Sequence, residues 1–317
     1  MTHKDKYREL CKHEKTIPIF SKDWWMDAVC GEDNWDVLIV EKGGEIVASM
    51  PIYIKRKCGL KYITQPKLTQ TNGIHIRYPK NQKYEKRLSY EKELMNEIID
   101  QIEQMGIAYY QQCFHYSVTN WLPFYWRGFE QTTRYTYVIE DLSDLDLVSS
   151  GFSKVVRKNI RKAEQMANVY TSNDIEKFYE MNTKTFQRQG LKPTYKLDFL
   201  KTLDKYCEKN NSRKILFAED EKGNIHTSSY IVWDDKSIYQ LMSGTDPKFR
   251  NSEFKTLLIW EALKFAHQTN KRFDFEGSMI EGIEEFFRKF GAVQKPYFAI
   301  SKAFRYKPLF NIYKSLR

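Results

Sequence analysis

Two carboxylates stand two residues apart in the segment KRFDFEG, residues 271–277. A strand has a side-chain period of two, so Asp274 and Glu276 share one face while Phe273 and Phe275 take the other. A carboxylate at the end of a strand can orient an amine or take a proton from it. The alternative is that Asp274 hydrogen-bonds a neighbouring loop and has only a structural role.

A second group of chemically active side chains is a run of cations with helical spacing. Its members are Lys154, Arg157, Lys158, Arg161 and Lys162. Positions i, i+3 and i+4 share a helical face, so the run predicts a positive stripe. Such a stripe can meet an RNA backbone, a nucleotide-linked acceptor or an anionic membrane, and the alternative is a solvated helix face. The formal net charge of +10 agrees with a phosphate-bearing partner, although the lysines are dispersed along the chain.

Cysteine and histidine positions give no metal or disulfide pattern. The five cysteines are far apart without a Cys-x-x-Cys pair, and the six histidines form no ligand spacing. We therefore expect no metal, and each cysteine as a small buried apolar residue. The first residues lack the apolar core of a signal peptide, and no run reaches 18 apolar residues. The predicted location is the cytoplasm, with the inner membrane surface as an alternative.

The elements that must position these residues repeat one order in both halves of the chain. Each half reads as hairpin, further strand, helix, strand, helix, strand, with hairpin turns at residues 43–44 and 223–224. This alternation predicts an α/β (α+β) fold in which helices flank a mixed sheet, present twice. We place the domain boundary after residue 145, giving domains 1–145 and 146–317 with a cleft between them.

Three segments of the second half resemble the FemAB/FemX-like branch of the GNAT acyltransferase superfamily. They are KVVRKNIRKAEQ, LLIWEALKFAHQTNKRFDFEG and FFRKFGA, which lie within residues 154–292. Members of this branch carry tandem GNAT-like domains and transfer an acyl or aminoacyl group to an amine. The resemblance implies that two parallel strands, here SIYQLMSGT and RFDFEGS, diverge around the acyl donor. Acyl transfer then needs a base for the amine and donors for the oxyanion.

The resemblance also implies a phosphate loop before the helix SEFKTLLIWEALKFAHQ. The usual GNAT pattern is Arg or Gln, two residues, Gly, one residue, Gly or Ala, and residues 250–255 read RNSEFK. Arg250 matches, but both small positions are lost. Arg250 and Lys255 remain candidates to bind a donor phosphate, with Ser252 as the expected N-cap of the helix. Acyl-CoA is therefore one candidate co-substrate and aminoacyl-tRNA the other, and a plain helix start is the structural alternative.

The segment FFRKFG resembles the family motif Phe-Lys-x-x-Phe-Gly, whose lysine is associated with the reacting carbonyl in tRNA-dependent members. That lysine position is Phe287 here. Arg288 and Lys289 are the neighbouring candidates to replace it, but each points elsewhere on a helix, by about 100° per residue.

Three further residues are candidates to bind the acceptor. Arg188 and Tyr195 stand where the resemblance places acceptor-binding Arg and Tyr residues, and Tyr239 lies on the first diverging strand. Each could equally be a surface cation or a ring at the edge of the core. Glu276 is the preferred general base because it lies nearer the end of its strand, and Asp274 is then expected to hold the architecture.

These residues lead to one function and two alternatives. The leading hypothesis is an N-acyltransferase acting on an amine of a cell-envelope or polysaccharide precursor, either a small molecule or lipid-linked. The first alternative is a FemX-like transferase that uses aminoacyl-tRNA and a peptidoglycan precursor. The second is a non-catalytic basic protein that binds RNA or membranes on a GNAT-like scaffold, since a fold alone does not fix a function.

Overall fold

The computed structural model describes residues 1–305, and these residues form two compact units. The first contains residues 1–134 and the described chain from Pro296, and the second contains Tyr135–Lys295. The division falls earlier than the boundary expected after residue 145. None of the helices within the described residues is long and apolar enough to cross a membrane.

Among the described residues, the first unit contains four helices and five complete strands, and a sixth strand begins in it and continues into the second unit. The helices are α1 (His3–His13), α2 (Asp23–Cys30), α3 (Tyr84–Gln104) and α4 (Leu122–Trp126). The strands are β1 (Trp35–Lys42), β2 (Glu45–Lys57), β3 (Leu60–Thr64), β4 (His75–Ile76), β5 (Tyr109–Cys113) and β6 (Glu130–Ile139), the last of which leads into the second unit. Helix α3 buries Leu94, Ile98 and Ile102, whose i, i+4 spacing forms an apolar stripe facing the core.

The second unit continues with helices on a longer run of strands. Its helices are α5 (Leu145–Ser150), α6 (Lys154–Glu164), α7 (Ile175–Arg188), α8 (Leu197–Lys209), α9 (Phe254–Gln268) and α10 (Glu281–Arg288). Its strands are β7 (Asn168–Thr171), β8 (Arg213–Glu219), β9 (Ile225–Trp233), β10 (Ser237–Thr245), β11 (Arg272–Asp274) and β12 (Val293–Ala303), the last of which runs into the first unit.

The strands of the first unit have the order β1-β2-β3-β5-β12, and β4 pairs with β2. Only β3 and β5 are parallel in this set, so the sheet is mixed as predicted. The hairpin turn at residues 43–44 is confirmed, with both glycines at positive φ. Strand β12 pairs its residues 299–303 with β5, so this part of the chain belongs to the first unit and not to the predicted domain 146–317. The last twelve residues of that predicted domain, 306–317, lie outside the described residues.

The strands of the second unit have the order β6-β11-β10-β9-β8-β7. Strands β10 and β11 are parallel and the other pairs are antiparallel. The predicted turn at residues 223–224 joins β8 to β9, with Gly223 at φ 77°. Helix α9 contributes Leu257, Leu258 and Leu263 to one apolar core, which also includes Phe273 and Phe275. The prediction of helices on a mixed sheet in both halves is confirmed.

The cysteines follow the prediction with one exception. Four are buried free thiols: Cys11, Cys30, Cys113 and Cys207. Cys58 is exposed because it lies in the turn between β2 and β3, at φ 50°.

Candidate active site

The two parallel strands of the second unit separate after a short pairing. Strand β11 pairs with β10 at only three positions, the last joining Asp274 to Tyr239. Strand β10 continues to Thr245, and its register with β9 shifts between Tyr239 and Met242. A bulge of this kind bends a strand away from its neighbour. The divergence expected for the segments SIYQLMSGT and RFDFEGS is therefore present.

A cavity of about 280 Å³ opens where these strands separate. All of its lining residues belong to the second unit. Its wall combines apolar side chains with neutral Ser, Thr and Gln side chains, several of them on β9 and β10; the apolar ones include Leu241, Met242, Leu258, Ile259, Phe275 and Phe287. Three ionisable side chains also line it, namely Arg188, Lys255 and Glu276. A concave site in which a few charged side chains converge is a candidate site for a small polar ligand.

Glu276 reaches this cavity from a strained turn. Its φ is 59°, in the left-handed region that glycine favours, and Gly277 follows at 61°. A Cβ at Gly277 would lie 2.1 Å from the carbonyl oxygen of Tyr135, so only glycine fits there. Burial and the nearby charge of Asp274 raise the pKa of the Glu276 carboxyl well above its usual range.

Asp274 holds this turn and does not line the cavity. Its Oδ1 accepts hydrogen bonds from the Thr136 hydroxyl and from the backbone N–H of Glu276, the second at 2.8 Å. The side chain is buried, and burial raises its pKa to about 6. These contacts support the interpretation of Asp274 as a positioning residue, and Glu276 is the carboxyl group that lines the cavity.

Lys255 enters the cavity from the first turn of α9. Its ammonium lies 4.8 Å from the centre of the Phe286 ring, a cation–π distance. Burial, and secondarily the positive charge of Arg188, lower the pKa of Lys255 to about 8. Arg188 is the last residue of α7 and is exposed, and it has no ion-pair partner among residues 1–305. The cavity therefore has two cations close enough to repel each other.

The position of Lys255 changes the interpretation of the motif FFRKFG. Phe287 lines the cavity, but Arg288 pairs with Glu284 at 3.8 Å and Lys289 with Glu285 at 2.9 Å along the surface of α10. Neither of these cations lines the cavity. Lys255, which we had assigned to a donor phosphate, brings the positive charge to the same cavity from another helix.

The comparisons with known proteins agree with this geometry. Residues 150–288 match the family model described as Acetyltransferase (GNAT) domain. A crystal structure of FemX has a TM-score of 0.70 at 12% identity, covering 94% of this chain and 96% of that one. The C-terminal domain of a putative lysylphosphatidylglycerol synthetase from Agrobacterium fabrum has a TM-score of 0.57 at 9% identity, covering 94% and 91%. A tandem GNAT protein from the clavulanic acid biosynthesis pathway has a TM-score of 0.53 at 10% identity, covering 94% of each. No curated protein sequence matches.

The chain has the tandem GNAT-like fold of FemX, and residues 150–288 match the GNAT domain. The resemblance found in the three segments is confirmed, and the prediction of an acyltransferase is confirmed at the level of the enzyme class. The donor, the acceptor and the roles of single residues stay predictions.

The GNAT domain implies acyl-CoA as co-substrate, and the loop before α9 does not fit its pyrophosphate. Helix α9 begins at Phe254 with Glu253 as its cap, at φ 66°, and not with Ser252 as expected. The Glu253 carboxylate accepts a hydrogen bond from Asn159 at 2.7 Å. A carboxylate at this helix N-terminus repels the phosphate that the helix dipole would otherwise attract.

Arg250 is also separate from the cavity. Its side chain is exposed, and its Nε donates a long hydrogen bond of 3.4 Å to Asn251. The preceding part of this loop is held by rings, since His226 stacks between Phe249 and Phe254 at centroid distances of 3.9 and 4.3 Å. Of the predicted donor-binding residues, only Lys255 lines the cavity.

Two predicted acceptor residues are buried in the protein and do not line the cavity. The Tyr195 hydroxyl donates to Asn182 Oδ1 at 2.9 Å, and the Tyr239 hydroxyl donates to Asp234 Oδ2 at 2.9 Å. Tyr195 also contacts the sulfur of Met242 at 3.0 Å and so supports the cavity wall. Tyr239 is a core ring on β10, which corrects its assignment to the acceptor site. Only Arg188 of this group lines the cavity.

The predicted basic stripe lies on α6. Val156, Ile160 and Ala163 face the core, while four of the five cations are exposed: Lys154, Lys158, Arg161 and Lys162. Arg157 is half-buried and donates to the Ser150 carbonyl at 2.7 Å. No ion pair neutralises any of the five within the described chain. Residues 1–305 also contain no cluster of His, Cys, Asp and Glu suited to a metal ion.

Proposed function

We propose that the protein is an N-acyltransferase whose reaction takes place in the cavity between the diverging strands β10 and β11. The observation that carries this proposal is the convergence of Glu276 and Lys255, from separate segments, on one cavity with a mixed apolar and polar lining. The pKa of Glu276 is raised and that of Lys255 is lowered, and shifted pKa values of this kind are typical of catalytic sites.

In the proposed reaction the amine attacks the carbonyl carbon of the acyl donor. A C–N bond forms, the bond from the carbonyl carbon to the leaving group breaks, and Glu276 takes the proton released by the amine. Its raised pKa makes it a stronger base near neutral pH than an ordinary carboxylate. The Lys255 ammonium stabilises the negative charge that develops on the carbonyl oxygen.

The cavity favours substrates that carry an anionic group. Arg188 and Lys255 both line it, and Glu276 supplies at most one compensating charge. Burial makes the charge of Lys255 costly without a counter-charge, so a bound phosphate or carboxylate would stabilise the site. This supports an acceptor from cell-envelope or polysaccharide synthesis, where amines are carried on phosphorylated or lipid-linked precursors.

Aminoacyl-tRNA as the donor is the second candidate, and Glu253 favours it. The carboxylate at the start of α9 opposes a coenzyme A pyrophosphate, whereas the exposed cations of α6 suit the sugar–phosphate backbone of RNA. The folds of FemX and of the putative lysylphosphatidylglycerol synthetase are consistent with aminoacyl transfer. The product in the name of the second protein is a lipid that carries a lysyl group.

A donor screen tests the proposal and separates these candidates. Acyl-CoAs and aminoacyl-tRNAs are added to the wild type, to Lys255→Met and to the control Lys289→Met, and the thermal midpoint is recorded. A true donor raises the midpoint by mass action in the wild type and in the control, and less in Lys255→Met. If uncharged tRNA raises the thermal midpoint as much as aminoacyl-tRNA does, the result would favour the non-catalytic alternative. The proposal fails if no donor forms an amide with any amine acceptor.

A further inference from the structure

An exposed aromatic surface lies on the first unit. It consists of large apolar and aromatic side chains that are each more than a third exposed: Tyr78, Tyr84, Leu88, Leu122, Tyr125 and Trp126. We call this set the aromatic surface. Tyr84 is 73% exposed and Trp126 is 58% exposed. Single exposed apolar residues are ordinary, but a concentration on neighbouring elements marks an interaction site.

Contacts between α3 and α4 bring these residues together. The Lys92 ammonium on α3 lies 5.3 Å from the centre of the Trp126 ring on α4. Leu88 and Tyr84 precede Lys92 by about one and two helical turns, so they continue the same side of α3. The Tyr125 ring meets Trp121 edge-on at 5.5 Å.

Buried Glu91 fixes the three segments that carry the aromatic surface. Its Oε1 accepts hydrogen bonds from the Tyr78 hydroxyl at 2.8 Å and from Arg87 Nε at 3.0 Å. Its Oε2 accepts one from Asn120, just before α4, at 3.0 Å. The exposed rings are therefore held on a rigid support, which lowers the entropy lost when they bind something.

The charges around the aromatic surface are mainly positive and unpaired. Lys80, Lys83 and Lys92 are exposed and have no acidic partner within ion-pair distance among the described residues. The nearby acids Glu85 and Glu93 are occupied by Lys86 and by Lys42. Lysine is depleted at protein–protein interfaces, whereas Trp, Tyr and Lys together are typical of a membrane interface.

We propose that the aromatic surface docks this protein on the surface of an anionic lipid bilayer. Leu122, Tyr125 and Trp126 enter the headgroup region, where their apolar area leaves water and their polar tips stay hydrated. Lys83 and Lys92 contact lipid phosphates beside them. The docking does not depend on the cavity residues, so it stands or falls independently of the proposed reaction.

Vesicle sedimentation tests the docking with matched variants of the full chain. The probes are vesicles of phosphatidylcholine alone and of phosphatidylcholine with phosphatidylglycerol. Tyr125→Ser/Trp126→Ser removes two exposed rings, and the control Leu191→Ser/Val293→Ser removes two comparably exposed apolar side chains elsewhere. Lys83→Glu/Lys92→Glu reverses the charge. All the substituted side chains are exposed, so thermal midpoints should stay near that of the wild type.

We expect the wild type and the control to bind anionic vesicles equally, and the aromatic and charge-reversal variants to partition about tenfold less. Turnover of a water-soluble amine should be unchanged in the aromatic variant. The proposal is overturned if the wild type ignores both vesicle types, or if it binds zwitterionic vesicles as well as anionic ones. It is also overturned if the aromatic variant binds like the wild type, or if the wild type is a dimer that this variant makes monomeric.

Discussion

The cavity between β10 and β11 and the loop before α9 are neighbouring candidates for one site, and they are built in opposite ways. The cavity contains one glutamate, which has a left-handed backbone conformation and a raised pKa, and a lysine with a lowered pKa. In the loop, Glu253 accepts a hydrogen bond from Asn159, and His226 is stacked between two rings. Glu253 of the loop is hydrogen-bonded within the protein, whereas the pKa values of Glu276 and Lys255 in the cavity are shifted by burial.

This difference indicates where the chemistry lies. Strain and buried charge persist only where the surrounding structure enforces them, and they concentrate at functional sites. The loop carries the sequence position that the GNAT pattern marks, but Glu253 is already hydrogen-bonded to Asn159 and Arg250 does not line the cavity. The comparison therefore favours Lys255 and Glu276 over Arg250 and Ser252 as the residues that meet substrate.

The largest expected effect is the loss of the base in the cavity. Glu276→Gln should lower kcat by roughly 100-fold, the usual contribution of general base catalysis, while leaving the fold intact. Steady-state kinetics at neutral pH measures it. Glu281→Gln is the matched control, since Glu281 is exposed at the start of α10. Normal turnover by Glu276→Gln would mean that the amine arrives already deprotonated.

The second prediction concerns the pH dependence of kcat/KM. Activity should rise with pH as Glu276 loses its proton, at a pKa above the usual range for glutamate. It should fall above about pH 8, because Lys255 then loses the charge that stabilises the oxyanion. Lys255→Arg keeps a charge at high pH, so the falling limb should disappear, a difference of about tenfold at pH 9. The control Lys289→Arg should show the same fall in activity above pH 8 as the wild type. If Lys255→Arg shows this fall as well, a group other than Lys255 causes it.

Some parts of the fold were readable from local sequence. The turns at residues 43–44 and 223–224 were predicted because Gly-Gly and Gly-Asn pairs favour left-handed turns between strands. The pairing of β12 with β5 was not predictable, since it joins residues 299–303 to 109–113 and depends on the assembled sheet. Local sequence patterns predict turns and single elements, but they say little about which strands pair when those strands are far apart in the chain.

The same limit explains the errors in the site. A two-residue spacing predicted that Asp274 and Glu276 share one strand face, but β11 ends at Asp274 and Glu276 lies in a left-handed turn, so only Glu276 lines the cavity. The role of Lys255 as a donor-phosphate ligand stays a prediction, and only the packed structure shows that its ammonium lies beside Phe286. Tyr239 was misassigned because the sequence does not show whether its hydroxyl faces a cavity or Asp234. Position 255 holds lysine where the GNAT pattern has Gly or Ala. This departure was the one sequence signal that the Lys255 side chain has a role of its own.

The third prediction separates function from stability at the strained turn. Glu276→Gly removes both the left-handed strain and the buried carboxyl, so the free energy of unfolding should rise by about 1 kcal/mol. Activity should still be lost. Gly277→Ala is the contrasting variant, since its Cβ would collide with the Tyr135 carbonyl and should destabilise the protein. Denaturant unfolding measures both, and a destabilised Glu276→Gly would show that the carboxyl supports the fold.

The smallest effect is expected in the loop. Arg250→Ala should change the donor KM by less than twofold, because its exposed side chain makes only one long hydrogen bond, to its neighbour Asn251. Lys255→Ala, measured beside it, should affect the reaction several-fold, because its ammonium lies in the cavity. The sequence predicts that Arg250 and Lys255 bind one donor phosphate together, and this pair of variants tests that prediction directly. A fivefold or larger rise in donor KM for Arg250→Ala would return the phosphate site to the loop before α9.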